Sequence, residues 1–404
     1  MRDVRTLLTG LAVIIAFLQG CGETVDSPGP ITDQEEFTKQ IQVPPNVDVI
    51  EMHHYRGSVT VEGWDEPYIL LEGEKSATAR DVQSVRDLLM QLEFIAYEKP
   101  DNRLVVAYDD PLEIEDLNPF DPRAQSVYTT IHLPRNLKLE LRNDGGPVRV
   151  TNLNSGLRLD QKDGNVMIRN IDDGVVVEAV NANIQARNIK PFFETYTREG
   201  ELEAEYIEGY CRIEHRDGSV NLNQVDGNVM LDTNDAPANL INVNGSIEVE
   251  ARDGNVVVNR FVESVKANVR NGSINLLPQN PIQGDLAIQA VNGDINVRIS
   301  ENSSVLFDLT AESGALESDY YLPISAESNL SKARGAIQSG EYLVNLYVER
   351  GKITVTKTRE LPASSAEPAT PTTSAPSPTT SSPDQQAPLD TGAEMEAVEI
   401  GGDE

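Results

Sequence analysis

From Gly146 onward the chain falls into nines. Of positions 146, 155, 164 and so on to 272, nine of fifteen are glycine. Six of those glycines follow Asp or Asn: Asp163-Gly164, Asp217-Gly218, Asp226-Gly227, Asn244-Gly245, Asp253-Gly254 and Asn271-Gly272. Such dipeptides mark turns. Two and four residues after each turn the chain is almost always apolar, as in Val166/Ile168, Val220/Leu222, Val229/Leu231, Ile247/Val249 and Val256/Val258. Alternation with one apolar face is the pattern of a half-buried strand.

A longer period lies inside the first. Seven residues after the turn, every other half-unit is apolar: Leu153, Ile171, Ile189, Ile207, Val225, Val243 and Phe261. The interleaved half-units carry Lys162, Val180, Arg198, Arg216, Asn234, Arg252 and Arg270 there. The unit is therefore 18 residues, with two short strands and two unlike turns. A meander of hairpins does not require that alternation over seven cycles, whereas a solenoid of stacked coils does. Seven coils at about 4.8 Å each give a rod of about 34 Å. The expected fold is all-β, a β-solenoid over 143–310, with a three-residue slip at Leu277–Gln283.

Solenoid ends expose strand edges and need caps. Residues 44–142 are expected to form a β-rich N-terminal cap with one helix, N-capped by Ser76 and running through Val82, Val85, Leu88, Leu89 and Leu92 at helical spacing. Residues 311–358 are expected to add C-terminal strands around Arg350-Gly351. Residues 361–404 are Pro/Ser/Thr-rich, with eight acidic residues and no Lys or Arg. That composition predicts a disordered tail.

A short basic start and the apolar stretch Leu7–Leu18 read as a signal peptide over 1–20, too short to span a bilayer comfortably. It ends in Leu18-Gln19-Gly20-Cys21, which resembles the lipobox of bacterial lipoproteins, with Gln19 departing from the usual small residue. The resemblance implies cleavage before Cys21, palmitate-type acylation of Cys21, and a tether over 21–43. Gly22, where inner-membrane lipoproteins carry Asp, implies the outer membrane, or the plasma membrane in a monoderm source.

Arg56-Gly57-Ser58-Val59-Thr60-Val61-Glu62-Gly63-Trp64-Asp65, the Asp-Gly-Asn-Val and Asn-Gly-Ser-Ile units, and Gly351-Lys352-Ile353-Thr354-Val355 carry a further resemblance. Over about 45–358 they are similar to a bacterial β-strand-repeat family of unknown function labelled "putative adhesin". That implies an envelope location and a non-enzymatic role, and it brings no catalytic residues.

Charge narrows the partners. Thirty-three Lys plus Arg against 65 Asp plus Glu leave −32, which argues against nucleic acid, whose affinity comes from basic groups neutralising phosphates. Two cysteines, Cys21 and Cys211, cannot make a disulfide framework. Cys211 falls at an inward position and is expected to be an inert thiol. No cofactor is implied.

One row could carry chemistry. Five residues after the turns of alternate half-coils stand Asp160, Glu178, Tyr196, Glu214, Asp232, Glu250 and Asn268. Stacked carboxylates at about 4.8 Å approach the separation of a retaining glycosidase pair, about 5–5.5 Å. Lys162, Arg216 and Arg252, two residues beyond Asp160, Glu214 and Glu250, suggest instead a ladder of ion pairs. Divalent-cation binding is a third use of the row. The expected function is a lipid-anchored envelope solenoid that binds or scaffolds, with no catalysis and with envelope polysaccharide or protein as partner. The alternative is a carbohydrate-active β-helix enzyme, a polysaccharide hydrolase or lyase. A groove of carboxylates without Arg or Lys partners would favour that alternative.

Overall fold

A computed structural model describes residues 29–108, 124–279 and 281–358. The expected signal peptide over 1–20, the expected acylation site Cys21 and the expected disordered tail over 361–404 lie outside the described residues. The 18-residue period is the coil of a β-solenoid with two parallel sheets, one built from each half-coil. Cys211 pairs with Val229 and Val229 with Ile247, while Ile213, Leu231 and Val249 follow in the same parallel register. Val229 and Leu231 are buried and Asn228 and Met230 are exposed, so one face of each strand fills the core. The slip after Leu277 survives as a 21-residue step, Ile274 to Ile295.

The second period has a backbone cause. In one sheet the residue just before each late apolar position carries a positive φ: Asn152, Asn170, Asn188, Tyr206, Gln224, Asn242 and Arg260, between 57° and 62°. A left-handed residue breaks the alternation, so two outward residues are followed by an inward one. Leu153, Ile171, Ile189, Ile207, Val225, Val243 and Phe261 are accordingly all buried in one continuous column. The other half-coils lack this residue, and their seventh position stays outside.

The turns divide their labour in a way the dipeptides conceal. At Asp217-Gly218, Asp253-Gly254 and Asn271-Gly272 the left-handed residue is the Asp or Asn, at 56°. Glycine is needed there for proximity, since a Cβ on Gly218 or Gly272 would run into the carbonyl of Gly200 or Gly254 one coil below.

Both ends are interleaved. The coil made by Val49–Arg56 and Val59–Trp64 pairs on one side with Lys138–Gly145 and Val148–Leu153. On its other side it pairs with Arg103–Tyr108 and Ala124–Pro134, which follow it in sequence. At the far end Tyr342–Arg350 and Lys352–Thr358 lie between Leu286–Asn292/Ile295–Ser300 and Val305–Ala311/Ala315–Ser318. The coil stack therefore extends beyond 143–310 in both directions. Antiparallel strands close the edges, Phe94–Lys99 and Ile31–Gln42 at one end and Leu330–Ile337 with Ile324–Glu327 at the other.

Two expectations need correction. The tether over 21–43 includes a strand, Ile31–Gln42, paired along its whole length with Tyr68–Ala79 and tied by Glu35 to buried Lys75 at 3.4 Å. As an edge strand it is held by backbone pairing and shows little apolar pattern. The helix is Val82–Gln91, capped by Asp81, which accepts from the Ser84 amide at 2.9 Å; Ser76 lies in the preceding strand. Val85, Leu88 and Leu89 pack on Ala77 and Ala79 as a small separate core.

Candidate functional site

The row anticipated from the repeat is a real column. Asp160, Glu178, Tyr196, Glu214, Asp232, Glu250 and Asn268 stand in successive register on the outer face of the first sheet, the one whose half-coils lack the left-handed residue. Beside it, two residues further along each strand, Arg198, Arg216, Asn234, Arg252 and Arg270 form a second column, also in unbroken register.

The ion pairs differ from the expected ones. Glu214 is held by Arg212, two residues before it, at 2.6 Å, and Glu178 by Arg158 of the preceding coil. Lys162 reaches back a full coil to Asp144 at 3.2 Å, and Glu250 accepts the Asn268 amide at 3.2 Å. Arg216 and Arg252 therefore do not neutralise Glu214 and Glu250. The physical reason is direction: side chains on a strand lean along it, and on this face Lys138, Arg142 and Arg212 all reach the carboxylate two residues ahead. Among the described residues Asp160 and Asp232 have no ion-pair partner within 4 Å, and Arg216 and Arg270 have none either. Arg252 donates to the side-chain Oδ1 of Asn234 at 3.2 Å, and Arg198 meets Glu199 at 3.8 Å.

Where the columns cross the middle coils the surface is concave. A groove of about 660 Å³ has Tyr196, Glu214 and Asp232 on one side and Arg198, Arg216, Asn234 and Arg252 on the other. Val180 closes one end, and Thr197 with His215 forms the floor, joined at 2.6 Å from the threonine hydroxyl to Nδ1. Burial lowers the His215 pKa. The Arg212 guanidinium lies over the Tyr196 ring at 5.9 Å, and its hydrogen bond to Glu214 raises its pKa, holding it charged. The sequence pattern contained the arginine column, but the pairing assumed for it hid its exposure.

Other expected sites resolve differently. Cys211 is fully buried, and burial pushes its thiol up to about 12, which makes it inert. Among the described residues no three His, Cys, Asp or Glu side chains converge on a point that could hold a metal ion. His54 belongs to an internal polar column: its Nδ1 meets Asn143 at 2.8 Å, and Asn143 donates to Gln161 at 2.9 Å. Burial lowers the His54 pKa to about 4. A second groove, of about 630 Å³, follows the left-handed corner past Asn170, Asn188 and Tyr206. Its amides are already joined in a ladder, Asn170 to Asn152 and Asn188 to Asn170 at 2.8 Å.

Fold and face together define a two-sheet β-solenoid that repeats one outward surface from coil to coil. The family model of Toastrack DUF4097 matches residues 97–356, and the chain belongs to that family, whose fold is β-solenoid-like. The motif at Arg56–Asp65 precedes the matched span. No curated protein matches the chain. Among solved structures it is similar to a putative cell adhesion protein from Clostridium sporogenes (12% identity, 81% of this chain and 100% of that one, TM-score 0.19). It is also similar to a putative lipid binding protein from Parabacteroides distasonis (14%, 80% and 97%, 0.29) and a putative adhesin from Bacteroides fragilis (12%, 80% and 97%, 0.22).

Proposed function

We propose that this protein is a lipid-anchored cell-envelope solenoid that binds or scaffolds a repetitive partner through the outer face of its first sheet, without catalysis. The observation that carries the reading is the unbroken register of the two outward columns from Asp160 to Asn268 and from Arg198 to Arg270. A surface repeated at each coil suits many weak, similar contacts whose strengths combine on a polymeric partner. Catalysis asks for the opposite, groups whose surroundings push their acidities apart in a site that excludes water. Here the groove is open along the sheet. Glu214 is paired with Arg212 while Asp232 has no ion-pair partner within 4 Å among the described residues, so it is the openness of the groove to water, and not charge pairing, that favours binding over hydrolysis or lysis.

The anchor follows from Leu18-Gln19-Gly20-Cys21. Acyl chains on Cys21 exceed the two signals that stable anchoring requires, and Gly22 directs the protein to the outer membrane in a diderm. Fractionation tests this. Cys21→Ser is expected to move the protein from the carbonate-washed membrane pellet to the soluble fraction. A variant that pellets like the parent would end the lipoprotein reading.

A further inference from the structure

We propose that the groove around Tyr196, Arg198, Arg216, Asn234 and Arg252 binds a linear acidic polysaccharide, one sugar per coil. The inference rests on the binding role argued above and names its site and ligand class.

The first argument is charge. In a chain of net charge −32, five consecutive coils present a guanidinium or an amide at the same position, with Arg270 extending the column past the groove. Arg216 and Arg270 have no carboxylate within 4 Å among the described residues, and Arg252 has only the neutral Asn234. Stacked guanidinium groups repel one another, and planar forked donors are matched by carboxylates. A carboxylate-bearing ligand supplies what the protein withholds from this column.

The second argument is spacing. Neighbouring positions in the column are one strand apart, about 4.8 Å, close to the advance of an extended pyranose chain per sugar. A uronic-acid polymer laid along the column keeps pace with the coils, and the carboxylates on the side that faces the sheet meet its guanidinium groups.

The third argument separates this ligand from other polyanions. The opposite side of the groove holds Asp232, without an ion-pair partner, and Glu214, held by Arg212. These are acceptors, and sugar hydroxyls are donors. A polyphosphate carries negative charge with few donors and meets Asp232 with repulsion. Single-stranded nucleic acid is held by successive aromatic platforms, whereas this groove offers one ring, Tyr196. A polymer with both hydroxyls and carboxylates satisfies both columns at once.

The test is titration calorimetry of the purified full-length chain with polygalacturonate, dextran, polyphosphate and a single-stranded DNA oligomer. Polygalacturonate is expected to bind, more weakly as salt is raised, and dextran not to bind. Arg216→Gln with Arg252→Gln is expected to weaken polygalacturonate about tenfold or more, with an unfolding midpoint unchanged because both residues are exposed. Arg216→Lys with Arg252→Lys, which keeps the charge and loses the fork, is expected to fall between. Arg169→Gln, exposed on the opposite sheet, is expected to bind as the parent does. The proposal fails if the parent does not bind polygalacturonate, if the double glutamine variant binds it equally, or if polyphosphate or DNA binds as tightly. The Cys21→Ser fractionation is read separately, so a lost anchor and a wrong ligand are told apart.

Discussion

At Arg260 the backbone has a φ of 57°, the left-handed region that β-carbons resist. The same column position holds Asn at 152, 170, 188 and 242, and Asn tolerates that conformation because its short amide hydrogen-bonds locally. Arg260 is exposed, and among the described residues its side chain forms no hydrogen bond or ion pair. Arg260→Asn is therefore expected to stabilise the fold by about 0.5–1 kcal/mol, read as a raised urea midpoint. A lowered midpoint would mean that the left-handed corner is not strained. This corner also shows where the sequence was readable. The apolar residues at 153, 171, 189 and onward announced that every other half-coil turns inward late, but Tyr206, Gln224 and Arg260 disguise the left-handed column that makes it turn. The Asp-Gly turns were legible as turns and mixed in detail: Gly164 and Gly227 take the positive φ themselves, whereas at 217–218 and 253–254 Asp takes it and glycine serves close packing.

Strands explain which contacts could be foreseen. A half-buried strand writes its buried side into the sequence, so the ladders Cys211–Val229–Ile247 and Asp160–Glu178 followed from counting. Outward ion pairs depend on how long side chains lean, which spacing does not encode, and the arginine column was misassigned for that reason. An inward polar residue is also invisible to an apolar count. His54, Asn143 and Gln161 sit inside three neighbouring coils and satisfy one another, with Thr129 and Tyr108 packed beside the imidazole. Because the folded protein holds His54 neutral to about pH 4 and an unfolded histidine titrates near 6.5, the unfolded state binds the extra proton first. Stability is then full above pH 6.5, falls as pH drops from 6.5 to 4, and levels off below, a loss of roughly 3 kcal/mol. His54→Gln is expected to remove most of that slope, leaving a smaller part from His215, whose pKa is lowered in the same direction. Urea unfolding at pH 7 and pH 4.5 measures it, and parallel losses in parent and variant would dismiss His54 as the source.

For the described unit as a whole, coil order and chain order disagree at both ends, and this sets what must be complete before the fold is stable. A simple solenoid could lose its last coil and keep the rest, since each repeat touches only its neighbours. Here Tyr342–Arg350 and Lys352–Thr358 pair on both sides, so removing them exposes the strands of the 286–300 coil and detaches Val305–Ala311 and Ala315–Ser318 from the stack. The lost residues include Val344, Leu346, Val348, Ile353 and Val355, all fully buried. At roughly 1.5–3 kcal/mol for each buried aliphatic side chain, the deficit approaches the whole stability of an ordinary domain, about 5–15 kcal/mol. The unpaired edges left behind would also invite association between chains. A chain ending at Glu341 is thus expected to aggregate or to melt far below the parent, although it keeps every repeat that counting in nines identifies. Calorimetry and light scattering on that truncation decide the matter: a soluble product that melts like the parent would show that the last coil is an appendage and not the member that locks its neighbours.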